Sequence, residues 1–321
     1  MKRHLKLATL LFAAVGAVPV AAQDANLLLP PEEIERLLAH EEFQVLTMPP
    51  SRGVEGDRTW APTVKFAEGA MMQIKWAPAA RGGDAFNNRP RYEIAAYELQ
   101  KLFLDPSEWV VPPTAARCFP TVVVQQLNPD APIYQTFGEW PITLVALQYW
   151  LWNVEVIEEI DDDERLEDDT YARRAGNFNL LTYLINHSDS NVGNFLVSTD
   201  PNNPRLFSID NGVAFASEES DRGTKWRDLR LERYPADTIE RLRALGLEEL
   251  QAALGVVAQF ELSDDGGFRQ VEPGENLDPG DGVRRTDRVL QLGLTNGEIE
   301  RIHRRLQRLI EWVDEGKYEL F

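Results

Sequence analysis

Cysteine is nearly absent: Cys118 is the only one in 321 residues. No intrachain disulfide can brace the fold, and Cys118, beside Phe119 in an apolar segment, reads as a core residue. Histidine is almost as scarce. His4, His40, His187 and His303 are too dispersed to suggest a zinc site, and Cys118 lacks a plausible histidine partner for a nucleophile. No Gly-x-Ser-x-Gly elbow is present, and His187, Ser188 and Asp189 are consecutive, which excludes a hydrolytic triad built from them. Positive charge is in short supply as well. Lysine and arginine total 33 against 52 acidic residues, a net charge of −19, and such a surface repels polyphosphate and argues against a nucleic-acid partner. No internal repeat is found.

The one early apolar stretch, Leu7 to Val18, is too short for a membrane span. It follows the basic Met1-Lys2-Arg3-His4-Leu5-Lys6 and precedes the small residues Val20-Ala21-Ala22. That order predicts an export signal over residues 1–22, a periplasmic or secreted mature chain beginning at Gln23, and no stable membrane span after cleavage. No cysteine stands directly after the apolar stretch, which excludes a bacterial lipoprotein.

What the chain does hold is a concentrated set of polar residues in apolar flanks. His187-Ser188-Asp189 leads through Ser190-Asn191-Val192-Gly193 to Asn194, then to the short apolar strand Phe195-Leu196-Val197. Leu206-Phe207-Ser208-Ile209 then delivers Asp210-Asn211-Gly212. Phosphoryl transfer from a nucleotide needs such a set: one carboxylate to orient an acceptor hydroxyl, and a second carboxylate with an amide oxygen to hold a metal. Asp, Asn and Gly also cluster in ordinary turns, so the order and spacing carry the signal rather than any one residue.

Upstream, Val64-Lys65-Phe66 and Met71-Met72-Gln73-Ile74-Lys75-Trp76 read as two strands joined by a turn, with Lys75 ending an apolar run. Arg91 to Phe103 is an amphipathic helix with Ile94, Ala95, Leu99, Leu102 and Phe103 at helical spacing. Glu93 in its first turn can reach back to Lys75. Glu98 lies roughly 140° round the helix from Glu93, so both cannot face that lysine. Phe43 to Met48 reads as a first strand, and Pro49 to Asp57, with Gly53 and Gly56, as a loop whose amides could cradle phosphate or as an ordinary exposed turn.

Taken together, Lys75, Arg91-Tyr92-Glu93-Ile94-Ala95-Ala96, Val110-Val111-Pro112-Pro113-Thr114, Asp189 and Ile209-Asp210-Asn211-Gly212 resemble the kinase core of the secretory-pathway Golgi casein kinase family and its bacterial relatives. More distantly they are similar to phosphoinositide 3/4-kinases. The resemblance covers about Phe43 to Phe215. It implies ATP as the nucleotide, Lys75 on its phosphates, Glu93 in the ion pair, Asp189 as catalytic carboxylate, and Asn194 and Asp210 on Mg²⁺ or Mn²⁺. Two features depart from that pattern. Ser190-Asn191 stands where Arg-His usually follows the catalytic aspartate, and a single cysteine cannot form the disulfides of animal members.

The rest is coarser. Pro30 to Leu38 starts a short helix within an N-terminal extension, residues 23–42. Thr121 to Leu127 reads as a strand leading into a hinge near Leu127 to Pro132, and Leu144 to Ile157 as a Trp-rich apolar helix. Glu158 to Asp169 is an acidic run, read as a solvated face or loop, and Tyr171 to Ile185 is the helix that delivers the Asp189 loop. Arg227 to Leu245, Leu247 to Phe260 and Asn296 to Val313 read as helices, and Ser263 to Asp287 as a long loop whose aspartates do not fit calcium-loop spacing.

The fold class expected is α+β, a two-lobed protein-kinase-like fold with a small antiparallel-sheet lobe over residues 43–132 and a mostly helical lobe over 133–321. A chain with 43% hydrophobic residues can bury cores of that size. The expected function is metal-dependent phosphoryl transfer from ATP to an acceptor that is a protein, a lipid or a small molecule. The alternatives are a pseudokinase that binds nucleotide or a partner without transfer, and nucleotidyl transfer by the same cleft.

N-terminal sequencing of the exported protein should read from Gln23. Recovery of exported chains with Met1 intact would show that the segment is retained.

Overall fold

The computed structural model describes residues 26–52, 58–86, 88–129, 133–157, 167–191, 193–215, 223–264 and 266–321. The segment read as an export signal lies outside them, as does most of the acidic run. The helix α1 (Pro31–His40) is followed by strands β1 (Phe43–Thr47), β2 (Thr63–Phe66) and β3 (Met71–Pro78), then helix α2 (Pro90–Lys101). Strand β4 (Thr114–Pro120), helix α3 (Thr121–Leu127) and strand β5 (Ile142–Tyr149) complete the first half. The five strands form one antiparallel sheet in the order β1-β2-β3-β5-β4.

Alternation explains the sheet. Along β3, Met72, Ile74 and Trp76 are buried, and α1 covers that face with Ile34, Leu37 and Leu38. Trp76 stacks on Phe119 with ring centroids 4.7 Å apart. The odd-numbered residues Lys75 and Ala77 turn to the opposite face, where α2 packs. The start of the described chain is tied to the same structure. Asn26 donates from Nδ2 to the Trp152 carbonyl at 3.0 Å, and the Leu28 amide donates to the Tyr149 hydroxyl at 3.1 Å. From α1, Glu35 accepts from the Tyr97 hydroxyl of α2 at 2.9 Å and pairs with Lys101 at 2.7 Å.

The second half is richer in helix. Strands β6 (Val154–Val156), β7 (Phe195–Ser198) and β8 (Leu206–Ser208) form a three-stranded antiparallel sheet that frames the Asp189 and Asp210 loops. The helix α4 (Asp169–Leu184) begins at an N-cap, where the Asp168 side chain accepts from the Tyr171 amide at 2.9 Å. It is buried along most of its length, because Tyr171, Phe178, Leu181 and Leu184 all sit in the largest apolar cluster. Beyond it lie β9 (Arg233–Tyr234), α5 (Ala236–Arg243), α6 (Leu247–Leu254), strands β10 (Ala258–Leu262), β11 (Phe268–Val271), β12 (Val283–Arg285) and β13 (Val289–Leu292), then α7 (Asn296–Asp314) and β14 (Glu319–Leu320). Strands β10 to β13 form a four-stranded antiparallel sheet in the order β11-β10-β13-β12. It packs through Phe260, Phe268 and Leu290 against Ile94 of α2 and Ala116 and Leu144 of the first sheet.

The α+β reading holds, and several local readings are corrected. Thr121 to Leu127 is helical, although its β-branched run favours a strand. The edge position is already filled by β4, which runs straight into Pro120. The helix buries only Val124 (1% exposed), leaving Val122 at 63% and Val123 at 40%. Leu144 to Ile157 is not a helix. Its first half belongs to β5, where eight successive residues are buried, as expected of a strand covered on both faces. The sheet therefore extends to Tyr149, and Trp150, Leu151 and Val154 border the cleft; the end of the expected hinge, residues 130–132, lies outside the described residues. Leu247 to Phe260 is helical only to Leu254, and Arg227 to Leu245 is helical only over α5, with β9 before it. Ser263 to Asp287 contains β11 and β12, paired strands inside a stretch whose Gly, Pro and Asp residues signal turns. Cys118 lies half-buried on the edge strand, packed against the third apolar cluster.

These exposures give a direct check on α3. In urea unfolding, Val124→Ala should cost about 2 kcal/mol, and Val122→Ala should change stability by no more than about 0.5 kcal/mol. Similar costs at the two positions, which share one face in a strand, would place the run in a strand instead.

Candidate active site

A cleft of about 960 Å³ opens between the first sheet and the Asp189 and Asp210 loops. The structure brings Lys75, Glu93, Asp189, Asn194 and Asp210 together on its walls. Gly53 and Gly56 lie outside the described residues, though Ser51 and Arg52, just before them, line the cleft.

The centre is the Lys75 ammonium. Its Nζ meets Glu93 Oε1 at 2.9 Å and Asp210 Oδ1 at 2.5 Å. Glu93 is fixed by its other oxygen, which accepts from the Asn211 backbone amide at 3.0 Å. Asn211 is locked in turn by Ser208: the Ser208 hydroxyl donates to Asn211 Oδ1 at 2.8 Å, and Asn211 Nδ2 donates to the Ser208 carbonyl at 3.3 Å. Asp210 adopts φ of +55°, a left-handed conformation that aspartate tolerates and that often marks functional loops. Glu98 points elsewhere and pairs with Lys101.

Charge follows the geometry. Burial alone would lower the pKa of Lys75, but Asp210 and then Glu93 outweigh it, so the ammonium is held charged above its usual range. Burial would raise Asp210, but Lys75 and then Arg52 outweigh it and hold the carboxylate below its usual range. Arg52 pairs with Asp210 Oδ2 from the opposite side. The sequence reading placed no role on Arg52; its only signal was a basic residue inside a candidate phosphate loop.

The facing wall carries Asp189, 6% exposed. The Asn191 side-chain amide donates to its Oδ1, and Asn194 Nδ2 donates to its backbone carbonyl at 2.9 Å. The Ile209 amide donates to the Asn194 carbonyl at 2.9 Å, which joins the two loops at their bases. Behind Asp189, His187 is fully buried, its ring 4.9 Å from that of Phe195, with Nδ1 accepting from the Asp189 amide at 3.3 Å.

Hard oxygen donors suit Mg²⁺ or Mn²⁺, and Asp210 with the amide oxygen of Asn194 supplies them. The residues fit such an ion: Asp210 already draws two cations, and one of them, Arg52, is 59% exposed and held by a pair that contributes little. A site with so few protein ligands leans on phosphate oxygens for the rest. Ala77, Ala146, Leu151, Leu196 and Ile209 give the cleft an apolar part of its lining.

No protein-family model matches the sequence, and no curated protein matches it. The fold does match solved structures. A structure of hydra Fam20 with sugar aligns over 89% of this chain and 88% of its own, with a TM-score of 0.55 at 13% identity. A crystal structure of the Golgi casein kinase aligns over 88% of this chain and 76% of its own, with a TM-score of 0.50 at 14% identity. At such identities the likeness shows the fold, and it bears out the kinase-like resemblance read from the sequence. No helix among the described residues is long and apolar enough to cross a membrane.

The buried histidine yields a pH prediction. Burial lowers the His187 pKa from 6.5 to about 4, against the opposing pull of Asp210 and the Ile209 backbone. Between those values the unfolded chain binds a proton that the folded chain refuses. Stability should therefore fall with pH across this window by about 1.4 kcal/mol per unit. The Asp210 contribution is lost only at lower pH, as pH falls through its lowered pKa. Urea unfolding at stepped pH should show a shallower slope in His187→Gln; equal slopes would mean that His187 does not refuse the proton.

Proposed function

We propose that this chain transfers the γ-phosphoryl group of ATP to an acceptor hydroxyl, with Mg²⁺ or Mn²⁺, in an exported setting. The observation that carries the reading is Lys75 bridging Glu93 and Asp210 on one wall of a cleft whose other wall presents Asp189 and Asn194. The sheet over residues 43–149 and the remainder of the chain then act as two lobes with the nucleotide between them. The base packs against the apolar lining of Ala77, Ala146, Leu151, Leu196 and Ile209. The Lys75 ammonium turns from Asp210 to the phosphate oxygens while Glu93, held by the Asn211 amide, keeps it in place. Arg52 leaves Asp210 for the same anion. Asp189 accepts a hydrogen bond from the acceptor hydroxyl and aligns its oxygen with the phosphorus. Asp210 and Asn194 would hold the metal, which neutralises charge developing on the phosphates.

The acceptor is a hydroxyl compound: a protein, a lipid or a small molecule such as a sugar, the ligand with which hydra Fam20 was solved. An acidic chain with basic side chains (Arg52, Arg58 and Arg89) at this cleft draws an anion there and repels it elsewhere. A second reading, binding without transfer, is favoured by one observation. The Asn191 amide occupies an oxygen of Asp189 where the acceptor must dock.

The test is incubation of the chain from Gln23 with γ-labelled and, separately, α-labelled ATP plus Mg²⁺ or Mn²⁺. Transfer of the γ label alone is expected; α label in product would mean nucleotidyl transfer, and binding with no transfer would mean a pseudokinase. Asp189→Ala should cut turnover about 10²- to 10⁴-fold with nucleotide affinity nearly unchanged. Lys75→Ala should weaken both, with thermal melts confirming that each variant folds.

A further inference from the structure

The Lys75–Glu93 pair depends on where α2 stands, and the structure fixes α2 from its far side. Arg91 and Glu93 are two positions apart, roughly 200° round the helix, so they project in opposite directions. Glu93 faces the cleft. Arg91, 5% exposed, reaches Glu298 at the start of α7, itself 4% exposed. The contact is a fork: Nη1 donates to Oε2 at 2.6 Å and Nη2 to Oε1 at 3.0 Å. The Tyr92 hydroxyl adds a bond to Glu298 Oε1 at 2.5 Å, and Arg91 Nε donates to Asp84 Oδ2 at 2.8 Å. Glu298 is itself immobilised by the capping box of α7. The Thr295 amide donates to its Oε2 at 2.8 Å, and the Glu298 amide donates to Thr295 Oγ1 at 3.2 Å.

The socket is built to the shape of the guanidinium. The backbone at Gly282, at the entry of β12, runs against it so closely that a Cβ there would lie 2.4 Å from Arg91 Nε and 2.5 Å from Cζ. Gly282 is not among the described glycines with positive φ, so space alone forbids the side chain. Arg91 Nη1 also donates to the Gly293 carbonyl at 3.3 Å.

We propose that Glu298, acting through Arg91, is a positioning residue that holds α2 where Glu93 engages Lys75, so the pair is bolted in place rather than switched by movement of this helix. The proposal rests on the phosphoryl-transfer reading for its effect on turnover, but not for its effect on Lys75. In kinases generally, displacement of the helix bearing the glutamate breaks the ion pair and stops the reaction. Here an outward swing must first pull a buried arginine from a bidentate carboxylate, which takes the counter-ion from the buried Glu298. A merely structural ion pair would alter melting and leave Lys75 alone.

The experiment compares the full chain with Glu298→Gln and Gly282→Ala. The first removes the charge that holds Arg91; the second crowds Arg91 out of its socket from a strand remote from the cleft. The first readout is the rate at which acetyl-N-hydroxysuccinimide acylates Lys75, read by peptide mass spectrometry relative to exposed Lys65 on β2. The second is ATP turnover with Mg²⁺. In both variants the Lys75 to Lys65 ratio should rise about tenfold, as loss of one neighbouring anion frees the amine. Turnover should fall about ten- to a hundredfold, as for a small misplacement of a reacting group. If Glu298→Gln does not fold, Gly282→Ala decides alone. Folded variants with the wild-type labelling ratio would overturn the proposal, whatever the turnover. A rise in labelling in a chain that never consumes ATP would support the clamp and overturn the phosphoryl-transfer reading instead.

Discussion

A single half-buried ammonium organises this molecule. Lys75 is 15% exposed, and a charge so placed is stable only if anions stay beside it. Those anions come from distant parts of the chain, Glu93 on α2 and Asp210 in the turn after β8. Satisfying one charge therefore fixes a strand, a helix and a loop relative to one another. The bond from the Asn211 amide to Glu93 closes the ring, so helix and loop also touch directly. Lys75 is the member whose loss leaves Glu93 without a cation, whereas Asp210 would still keep Arg52.

Much of this was legible in the sequence because it is local. The apolar run ending at Lys75 marked β3, and the structure puts Lys75 on the opposite face from Ile74 and Trp76. Helical spacing marked α2 and separated Glu93 from Glu98, and the geometry agrees: one pairs with Lys75, the other with Lys101. Asp189, Asn194 and Asp210 meet in the cleft as their spacing on short apolar flanks suggested. The misread segments are those where tertiary demand outweighs composition. The valines at 122–124 form a helix because β4 has already taken the sheet edge, and the apolar run at 142–149 is a strand because both its faces are covered. Strands β11 and β12 pair with near neighbours, Phe268 opposite Leu262 and Val283 opposite Leu292, but they are only four and three residues long and their Gly, Pro and Asp surroundings signal turns.

The long-range polar contacts were least legible. Nothing in the composition links Arg91 to Glu298 or Arg52 to Asp210, since each pair is joined only by the fold. Glu298 does carry a local signature: Thr295 and Glu298 stand at capping-box spacing. Its second use, as the counter-ion of Arg91, depends on the four-stranded sheet wrapping the far side of α2. That sheet buries Ile94 and brings Gly282 against the guanidinium, so a region read as loop supports the helix that carries Glu93.

The first residues of the described chain have a different consequence. Helix α1 supplies Ile34, Leu37 and Leu38 to the back of the first sheet, Asn26 ties down Trp152, and Glu35 grips α2. A stretch that reads as an appendage is thus built into the same core as the cleft-facing strands. The sheet is not a portable cassette. Recombination or grafting that exchanged residues 43–149 without their own α1 would strip one face of the sheet of its cover, so this part of the chain is free to evolve only together with the segment in front of it.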